Sequence, residues 1–304
     1  MADISLKILG SGSAIPAYGR SQASHILSMH NKKFMIDCGE GTQVQMNKFG
    51  ESGARLNHIF ISHLHGDHCF GLLGLISSIG MRMERGDLYI HSHAELESVL
   101  RPALDFFTKG LEFNVYFEPF KTNTSECIYE DKSIVVTTIP LVHTMACSGF
   151  LFKEKPKERH LIRQKIDFFN VPIKELTSIK QGADFITPDG EVIPNSVLTK
   201  EASPSFSYAY CSDTAYSERI IPYIENVDLL FHEASYLTEH KSKAKKNLHS
   251  TAAQAATIAQ KANVKKLILG HFSARYKDLT PFLEEAKPIF ANTELTKDGA
   301  VFDY

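Results

Sequence analysis

The segment from His63 to His68 has the residue types and the spacing of a metal site. It reads His-Leu-His-Gly-Asp-His and directly follows Leu56–Ser62, an apolar segment with the pattern of a strand. Residues two apart in an extended segment point to the same side, so His63 and His65 can bind one ion. The glycine then interrupts the strand and lets Asp67 and His68 turn toward a second ion. Imidazole and carboxylate ligands suit zinc and, less selectively, manganese or iron; the alternative is a histidine-rich surface turn without a function.

Two ions need more ligands than this segment supplies, and the ends of other strands are where we expect them. Three polar residues directly follow apolar, strand-like segments: His143 after Ile134–Leu141, Asp213 after Phe206–Cys211 and His271 after Lys266–Gly270. Sites in α/β folds lie at the carboxyl ends of strands, so these residues are candidates to complete the coordination. Any one of them can be a surface residue by chance, but their shared location favours a common site.

Short apolar segments along the chain predict a mixed α/β fold. The predicted strands are Ile4–Gly10, His25–Met29, Lys33–Asp37, Leu56–Ser62, Leu88–Ile90, Val115–Phe120, Ile134–Leu141, Gly149–Lys153, Phe206–Cys211, Val227–Phe231 and Lys266–Leu269. The predicted helices are Gly39–Phe49, Cys69–Met83, Glu95–Phe107, one near Pro172–Gly182, and Ser250–Ala262 with a capping box at Thr251 and Gln254. Strands come first as hairpins and later alternate with helices, which predicts an α/β sandwich of two mixed sheets with outer helices.

Composition and charge limit the possible classes of protein. The 304 residues are 43% apolar and 22% charged, which excludes intrinsic disorder, and the formal charge of −2 excludes a generally basic nucleic-acid-binding surface. The five cysteines are far apart and form no C-x-x-C motif, so we expect reduced, buried thiols of a cytosolic protein. The first residues lack the apolar run of a signal peptide, and no apolar stretch reaches the ~18 residues of a membrane helix. We therefore predict a cytoplasmic protein that does not span a membrane.

The segment from Lys153 to about Lys200 differs in composition from the rest of the chain. Four prolines and a turn signal at Thr187–Gly190 interrupt it, so we predict an arm inserted at about 153–200 into a single catalytic domain spanning 1–304. Its first part carries six basic residues against two glutamates, a local charge of +4: Lys153, Lys155, Lys157, Arg159, Arg163 and Lys165. Such a cluster can bind a phosphate backbone; the alternative is a solvated surface loop.

Two glycine-containing loops follow predicted strands. The loop LGSGSA at 9–14 superficially resembles a dinucleotide-binding loop, but a proline and a hairpin pattern follow where that motif requires a helix. We therefore predict a tight turn near the site. The loop DCGEGTQ at 37–43 opens a predicted helix, and its backbone N–H groups can approach an anionic substrate. A purely structural turn is the alternative for this second loop.

Eight segments, in the same order along the chain, carry a family resemblance. They are LGSGSAIP (9–16), DCGEGTQ (37–43), IFISHLHGDHCFGLLGLI (59–76), LVHTMACSGF (141–150), CSDT (211–214), HEAS (232–235), LHST (248–251) and LILGHFSARY (267–276). The histidine-rich motif identifies only the metallo-β-lactamase superfamily, whereas the combination resembles the ribonuclease Z family of tRNA 3′-processing endonucleases. The sequence departs from that family in the arm, which lacks a glycine–proline-rich tip, in the segment after Gln43, and at Ser235, where the family often has threonine.

The resemblance implies a metallo-β-lactamase-type αβ/βα sandwich that binds two zinc ions per chain and no organic cofactor. One ion would be bound by His63, His65 and His143 and the other by Asp67, His68 and His271, with Asp213 bridging the two. The attacking nucleophile would be a water activated by zinc, which lowers the pKa of bound water to about 7. Asp67 would in addition orient or deprotonate that water.

Cleavage of a phosphodiester also requires a proton for the leaving oxygen, and Glu233 and His249 fit that requirement. A carboxylate behind an imidazole fixes its tautomer and raises its basicity, and the resemblance implies that these two residues act as such a pair. The alternative is that Glu233 is a structural ion-pair partner and His249 only begins a helix.

Arg275 is a further candidate for RNA binding, besides the six basic residues of the arm. The histidines without a motif are expected to be ordinary polar residues: His25, His91, His93, His160 and His240.

The resemblance implies a zinc-dependent endoribonuclease that removes the 3′ trailer from tRNA precursors and works as a homodimer. It would leave a 3′-hydroxyl on the tRNA and a 5′-phosphate on the trailer. The main alternative is a small-molecule hydrolase of the same superfamily, acting on a phosphodiester, thioester or lactone. The basic arm argues against it, because a small substrate needs no such surface. A non-catalytic RNA-binding relative is disfavoured because all the proposed ligands, Glu233 and His249 are present.

Overall fold

Residues 4–81 and 86–304 are described by the structure, a computed structural model, and most of their strands belong to two seven-stranded sheets. The strands of the N-terminal sheet are β1 (Ile4–Gly10), β2 (Ser24–Met29), β3 (Lys32–Ile36), β4 (Leu56–Phe60), β5 (Leu88–Ser92), β6 (Val115–Pro119) and β18 (Val301–Asp303). Their order is β18-β1-β2-β3-β4-β5-β6. Pairing is antiparallel from β18 to β3 and parallel from β3 to β6, so the sheet is mixed.

The C-terminal sheet is mixed as well. Its strands are β7 (Cys127–Glu130), β8 (Ile134–Pro140), β9 (Ser148–Glu154), β14 (Ser207–Cys211), β15 (Leu229–Glu233), β16 (Lys266–Gly270) and β17 (Thr293–Leu295). Their order is β17-β16-β15-β14-β9-β8-β7, with β14 to β17 parallel and β7 antiparallel to β8. The predicted pair of mixed sheets is therefore confirmed.

Aromatic rings join the inner faces of the two sheets. The ring of Phe60 on β4 lies 5.6 Å from that of Phe150 and 5.2 Å from that of Phe152, both on β9. The residues that alternate with these inward-facing ones point away from the partner sheet. On β14, for example, Ala209 and Cys211 belong to a second buried cluster beneath the helices. Alternate residues of a strand point to opposite faces, so each strand supplies both layers of the core.

Helices α1, α10 and α11, whose bounds follow, pack against strands of the two sheets. The α-helices are α1 (Thr42–Lys48), α2 (Gly66–Cys69), α3 (Leu72–Met81), α4 (Glu95–Phe107), α5 (Arg163–Phe168), α6 (Leu176–Lys180), α7 (Asn195–Leu198), α8 (Ile221–Ile224), α9 (Lys241–Asn247), α10 (Ala252–Lys261) and α11 (Thr280–Ala286). The predicted capping box is present, because Thr251 Oγ1 accepts from the Gln254 N–H at 3.2 Å and Gln254 Oε1 accepts from the Thr251 N–H at 3.0 Å. Within residues 4–81 and 86–304, no helix has the length and apolarity that crossing a bilayer requires.

Residues 131–134 and 153–206 form a compact unit of their own, here called the second unit. It contains α5 to α7 and two short strand pairs, β10 (His160–Leu161) with β13 (Thr199–Lys200) and β11 (Phe185–Ile186) with β12 (Val192–Ile193). Its buried apolar side chains are Ile166, Val171, Ile179, Phe185, Ile193 and Leu198. The segment predicted to be an arm thus has a hydrophobic core of its own, while its role as an arm stays a prediction.

The structure corrects several predicted elements. The predicted helix Cys69–Met83 is two helices, α2 and α3, because the Gly71 N–H donates to the Cys38 carbonyl at 2.9 Å instead of continuing the helical pattern. The last part of that prediction, from residue 82, lies outside the described residues. Cys127 is exposed on the edge strand β7, so the expectation of a buried thiol is wrong for this cysteine. Strands β7, β17 and β18 and helices α9 and α11 were not predicted.

Candidate metal centre

Residues that follow four different strands meet at one edge of the sheets. They come after β4, β8, β14 and β16, where the predicted ligands are His63, His65, Asp67, His68, His143, Asp213 and His271. These seven side chains fall into two groups, and the ligand atoms within each group lie within 4.8 Å of one another. The structure therefore brings all the predicted ligands together.

The first group contains three imidazoles and one carboxylate. His63 Nε2 lies 3.0 Å from His65 Nδ1, which lies 3.2 Å from His143 Nε2. Asp213 Oδ2 completes the group at 3.8 Å from His63 Nε2 and 3.7 Å from His143 Nε2. The His63 and His65 side chains thus do point to the same side, as the alternation along an extended segment predicts.

The second group shares the same aspartate through its other oxygen. His271 Nε2 lies 3.3 Å from His68 Nε2 and 3.3 Å from Asp67 Oδ2. Asp213 Oδ1 lies 3.2 Å from His271 Nε2 and 3.5 Å from His68 Nε2. Asp213 therefore stands between the two groups and offers one oxygen to each.

Hydrogen bonds on the outer side of the rings orient the ring nitrogens. His68 Nδ1 donates to Asp37 Oδ2 at 2.7 Å, and His143 Nδ1 donates to the Leu248 carbonyl at 3.1 Å. His271 Nδ1 donates to Ser235 Oγ at 3.0 Å, since that hydroxyl itself donates to the His271 carbonyl. Each of these rings directs Nε2 into the site, which is the arrangement found in metal-binding histidines.

The spacing of the donor atoms fits two metal ions. Neighbouring donors in the two groups are 3.0 to 3.8 Å apart, and tetrahedral zinc with bonds of about 2.0–2.1 Å has donors about 3.3 Å apart. Among the described residues, Asp213 Oδ1 is a buried acceptor that receives no hydrogen bond. A buried carboxylate oxygen without a donor is costly unless a cation neutralises it. The residues present therefore fit a pair of metal ions.

Protonation of His68 opposes metal binding and is set by its neighbours. Burial by itself would lower the pKa of His68, but the carboxylates of Asp213 and Asp37 raise it well above its ordinary value. A metal ion would displace the proton from Nε2, because an imidazole must be unprotonated there to bind. Burial lowers the pKa of the three imidazoles in the first group, which favours their neutral form.

Glu233 and His249 form a hydrogen-bonded pair beside the ligand groups. Glu233 Oε1 accepts from His249 Nδ1 at 2.8 Å and also from the N–H groups of Thr214 and Ser250. Burial would raise the pKa of Glu233, but His249 lowers it to about 2. Burial likewise would lower the pKa of His249, but Glu233 raises it to about 9. The pair holds an imidazolium whose Nδ1 is occupied, which leaves its Nε2 as a proton donor.

The site opens into a cavity of about 700 Å³, a volume that admits part of a nucleic acid strand. His249 and five of the seven predicted ligands line it. The segment Ser13–Ile15 lines it too, so the loop after β1 is a turn near the site, as predicted. Ile15 and Phe70 contribute exposed apolar surface, with 67% and 72% of each residue accessible.

Most backbone N–H groups of the loop at 37–43 bind acceptors within the protein, which favours the second of its two predicted alternatives, a structural turn. Backbone N–H groups of residues 38, 39, 40 and 42 donate to acceptors elsewhere in the chain or in the loop.

Sequence reasoning missed the role of Asp37, whose Oδ2 accepts from His68 Nδ1 and from the Tyr210 hydroxyl, each at 2.7 Å. Its Oδ1 accepts from the Ser62 N–H at 2.7 Å. The available signal was an aspartate at the carboxyl end of the predicted strand Lys33–Asp37.

Two of the five histidines expected to be ordinary polar residues are buried. His25 is 1% exposed and its Nδ1 lies 3.1 Å from the Tyr208 hydroxyl oxygen. His91 is 3% exposed and its Nε2 lies 3.0 Å from His58 Nδ1. The expectation is therefore wrong for these two, because strands β2 and β5 place them between packed aromatic rings. His93, His160 and His240 are half-buried or exposed.

The predicted RNA-binding residues lie in two places. Six are in the second unit, exposed or half-buried: Lys153, Lys155, Lys157, Arg159, Arg163 and Lys165. Lys157 pairs at 2.9 Å with Glu154, which the predicted charge of +4 already includes. Arg163 pairs at 2.9 Å with Asp167, which lies outside that count and neutralises one further positive charge. Arg275 is exposed in the loop after β16, next to residues that line the cavity.

Comparison with solved structures shows the fold. The crystal structure of the short form of human tRNase Z matches with a TM-score of 0.71 at 23% identity, covering 98% of both chains. The metallo-β-lactamase fold protein YhfI from Bacillus subtilis matches with a TM-score of 0.69 at 17% identity, covering 99% of both chains. The predicted metallo-β-lactamase fold is thereby confirmed.

Comparison with related sequences shows the family. Residues 4–199 match the family model described as anti-Pycsar protein Apyc1, so the chain belongs to that family. Ribonuclease Z of Parabacteroides distasonis is 52% identical over 299 residues, which is 98% of each chain. On this similarity along nearly its whole length, the chain belongs to the ribonuclease Z family and is a metal-dependent endoribonuclease of tRNA 3′ processing.

Proposed function

We propose that this enzyme removes the 3′ trailer from tRNA precursors with two zinc ions, leaving a 3′-hydroxyl on the tRNA and a 5′-phosphate on the trailer. The observation that carries the proposal is the position of Asp213, which offers one oxygen to each of two ligand groups. The Glu233–His249 pair lies beside it and lines the same cavity. Two metal ions and a positioned proton donor can together catalyse the hydrolysis of a phosphodiester.

Each ion has its own ligands in this proposal. One would be held by His63, His65 and His143, the other by Asp67, His68 and His271, with Asp213 shared. Two such ions supply Lewis acidity to the scissile phosphate and lower the pKa of the attacking water. Zinc suits the set because imidazole nitrogens dominate it.

Asp67 orients the attacking water. Burial would raise the pKa of Asp67, but the rings of His271 and His68 lower it far below its ordinary value. The carboxylate therefore stays ionised and is a weak base, so it serves better as a hydrogen-bond acceptor than as a proton carrier. Since it lines the cavity, it can accept a hydrogen bond from a water placed in line with the phosphorus–oxygen bond that breaks.

His249 supplies the proton that the leaving oxygen needs. The attacking water, which first loses one proton to solvent, forms a bond to phosphorus while the bond to the 3′ oxygen of the last tRNA nucleotide breaks. That 3′ oxygen takes a proton from His249 Nε2 and leaves as a hydroxyl. Glu233 makes this transfer possible because it holds Nδ1 at 2.8 Å and keeps the ring protonated at neutral pH.

Substrate and assembly complete the proposal. Precursor tRNA would be bound by exposed cations, among them Arg275 and the exposed basic residues of the arm, such as Lys153 and Lys165. A homodimer, a cytoplasmic location and the absence of an organic cofactor are what the family resemblance implies.

The test is cleavage of a 3′-extended tRNA precursor by the purified protein with Zn²⁺, followed by mapping of both product ends. We expect one cut near the discriminator base, a 3′-hydroxyl on one product, a 5′-phosphate on the other, and no cleavage in EDTA. Cleavage with a 2′,3′-cyclic phosphate product, or cleavage undiminished by EDTA, would contradict the mechanism. Hydrolysis of a small chromogenic phosphodiester without cleavage of precursor tRNA would favour the small-molecule hydrolase.

A further inference from the structure

Helix α9 (Lys241–Asn247) is a short surface helix with an unusual concentration of positive charge. Four of its seven residues are lysines, Lys241, Lys243, Lys245 and Lys246, and all four are exposed. Ala244 is the buried residue that anchors the helix. The C-terminal end of α9 reaches the catalytic cavity, where Lys246 and Asn247 belong to the lining.

The stability of the helix does not explain these charges. Lysines in the last turn interact favourably with the helix dipole, but Lys241 and Lys243 lie in the first turn, where positive charge is unfavourable. The first turn contains no acidic residue. Lysines spaced three or four residues apart, such as Lys241 and Lys245, also repel each other. The arrangement therefore costs stability unless an anion binds there.

Among the described residues, acidic side chains do not pair with the lysines of α9. Within residues 4–81 and 86–304, no ion pair joins a lysine of α9 to a carboxylate. The nearby Glu239 instead lies 3.1 Å from His240, and Glu285 accepts from Thr238. Three lysines elsewhere in the C-terminal half are paired instead: Lys261 with Glu218, Lys265 with Asp228 and Lys266 with Glu294. The α9 cluster is thus available to an external polyanion.

The chain that leaves α9 runs directly into the catalytic machinery. Leu248 has a left-handed backbone (φ +55°), and its carbonyl accepts from His143 Nδ1. The next residue, His249, donates its backbone N–H to the Ala244 carbonyl within α9 at 2.9 Å. A phosphate bound on α9 is therefore held in a fixed relation to one metal-ligand candidate and to the proton donor.

We propose that the four lysines of α9 form a binding surface for the sugar–phosphate backbone of the substrate RNA next to the scissile bond, with Lys246 nearest to the cavity. This inference rests on the proposed cleavage of RNA and assigns part of its substrate recognition to α9. The cluster is distinct from the basic residues of the arm, which belong to the second unit. It positions the strand at the cavity, whereas it takes no part in bond breaking.

The test replaces Lys241, Lys243, Lys245 and Lys246 together with glutamine. The matched control replaces four other exposed lysines that do not line the cavity, Lys109, Lys121, Lys287 and Lys297, with glutamine. Both variants change the net charge equally. Affinity for precursor tRNA is measured from 0.05 to 0.3 M salt in a His249→Ala background, which slows cleavage during the measurement. Circular dichroism and thermal melts check that each variant is folded.

We expect the α9 variant to bind RNA more weakly and to flatten the slope of log affinity against log salt. Each phosphate that the protein no longer neutralises changes the slope by roughly 0.7–0.9, so about 2–3 in total if three lysines bind phosphates. The control should keep the parental slope, and replacing the same four α9 lysines with arginine should restore it. An unchanged slope in the folded α9 variant, or an equal loss in the control, would overturn the inference. Failure of the parental enzyme to cleave precursor tRNA would instead remove the proposed function itself.

Discussion

At the scale of single residues, the partner of each imidazole decides what that histidine can do. His68 and His143 donate through Nδ1 to an acceptor outside the site and keep Nε2 toward the cavity, so both suit metal binding. His249 donates through Nδ1 to a buried carboxylate and is held as a cation, so it suits proton donation. Burial lowers the pKa of His25 to about 3 and so keeps that ring neutral in the core. One residue type thus serves three purposes.

Asp37 should control metal affinity although it is not a ligand candidate. Asp37→Asn keeps the size of the side chain but removes the charge behind His68 Nδ1. Residues that support a metal-binding histidine in this way are typically worth 10–100-fold in metal affinity, and we expect a loss of that order in competition titrations with a chelator. Asp228→Asn is the control, because Asp228 accepts from Ser207 and touches no predicted ligand. Equal metal affinity in the Asp37 variant and the parent would refute this role.

His249→Ala should lower kcat for precursor cleavage by about 10²–10⁴-fold, the usual contribution of general acid–base catalysis. Metal content should stay at the parental value, because His249 is not a ligand in the proposed mechanism. The parental decline of kcat at alkaline pH, where His249 with its pKa near 9 loses its proton, should disappear in the variant. Glu233→Gln should act in the same direction with a smaller effect.

His93→Ala serves as the control for this substitution, since His93 lies outside the cavity lining. A His249→Ala enzyme that retains near-parental kcat, or that loses its metal, would show that the ring has another role.

At the scale of elements, the bounds of strands and helices were predicted best where a segment has a clear periodicity of apolar residues. β1 and α4 begin and end at the predicted residues, Ile4–Gly10 and Glu95–Phe107, because strong alternation or helical periodicity runs through each. β17 and β18 have three residues each, and pairing with a neighbouring strand defines them rather than a pattern of their own. The predicted helix near Pro172–Gly182 is present as α6 (Leu176–Lys180), whereas α5 and α7 have six and four residues, too short for periodicity to be visible.

The site was predictable to the extent that its chemistry resides in side-chain types. Histidines and aspartates after apolar strands indicated the ligand candidates, and the structure brings them together. The supporting groups were not predictable in the same way. The acceptor for His143 is the carbonyl of Leu248, and a backbone carbonyl has no signature in the sequence. Asp37 and Ser235 support His68 and His271 through contacts that only the packed sheets create.

The second unit should be removable without loss of the metal centre. Its apolar core is its own, and the predicted ligands all belong to the other unit. We therefore expect a protein in which a Gly/Ser linker replaces residues 153–200 to keep its metal content. Affinity for precursor tRNA should fall, and the salt slope should flatten by about 0.7–0.9 for each phosphate that the shortened protein no longer binds. Unchanged affinity and salt dependence would make the segment a surface loop and remove it from substrate binding.

At the scale of the whole molecule, metal binding and folding are coupled, because each ligand group draws on both sheets. In the first group His63 and His65 follow a strand of the N-terminal sheet, while His143 and Asp213 follow strands of the C-terminal sheet. The second group likewise combines Asp67 and His68 with His271. A ligand that binds only the folded state stabilises it, so metal ions bound at these two groups would also hold the two sheets together.

The packing that joins the sheets should also make the protein sensitive to acid through His91. Its ring stacks on Phe60 at 4.4 Å, and burial lowers its pKa to about 3. Unfolding raises that pKa to about 6.5. Between pH 6.5 and 3 the unfolded state therefore binds a proton that the folded state excludes, and stability falls as the pH falls.

His91→Phe keeps a stacking ring and removes the titration, so it should reduce this acid sensitivity. The free energy of unfolding, measured by urea titration, should drop less between pH 7 and pH 5 in the variant than in the parent. One titrating group corresponds to a difference of about 2 kcal/mol over that interval. Comparing the two proteins at each pH cancels the titration of the metal ligands, which both share. Identical pH dependence would show that His91 is protonated in the folded protein or that its ring is solvated there.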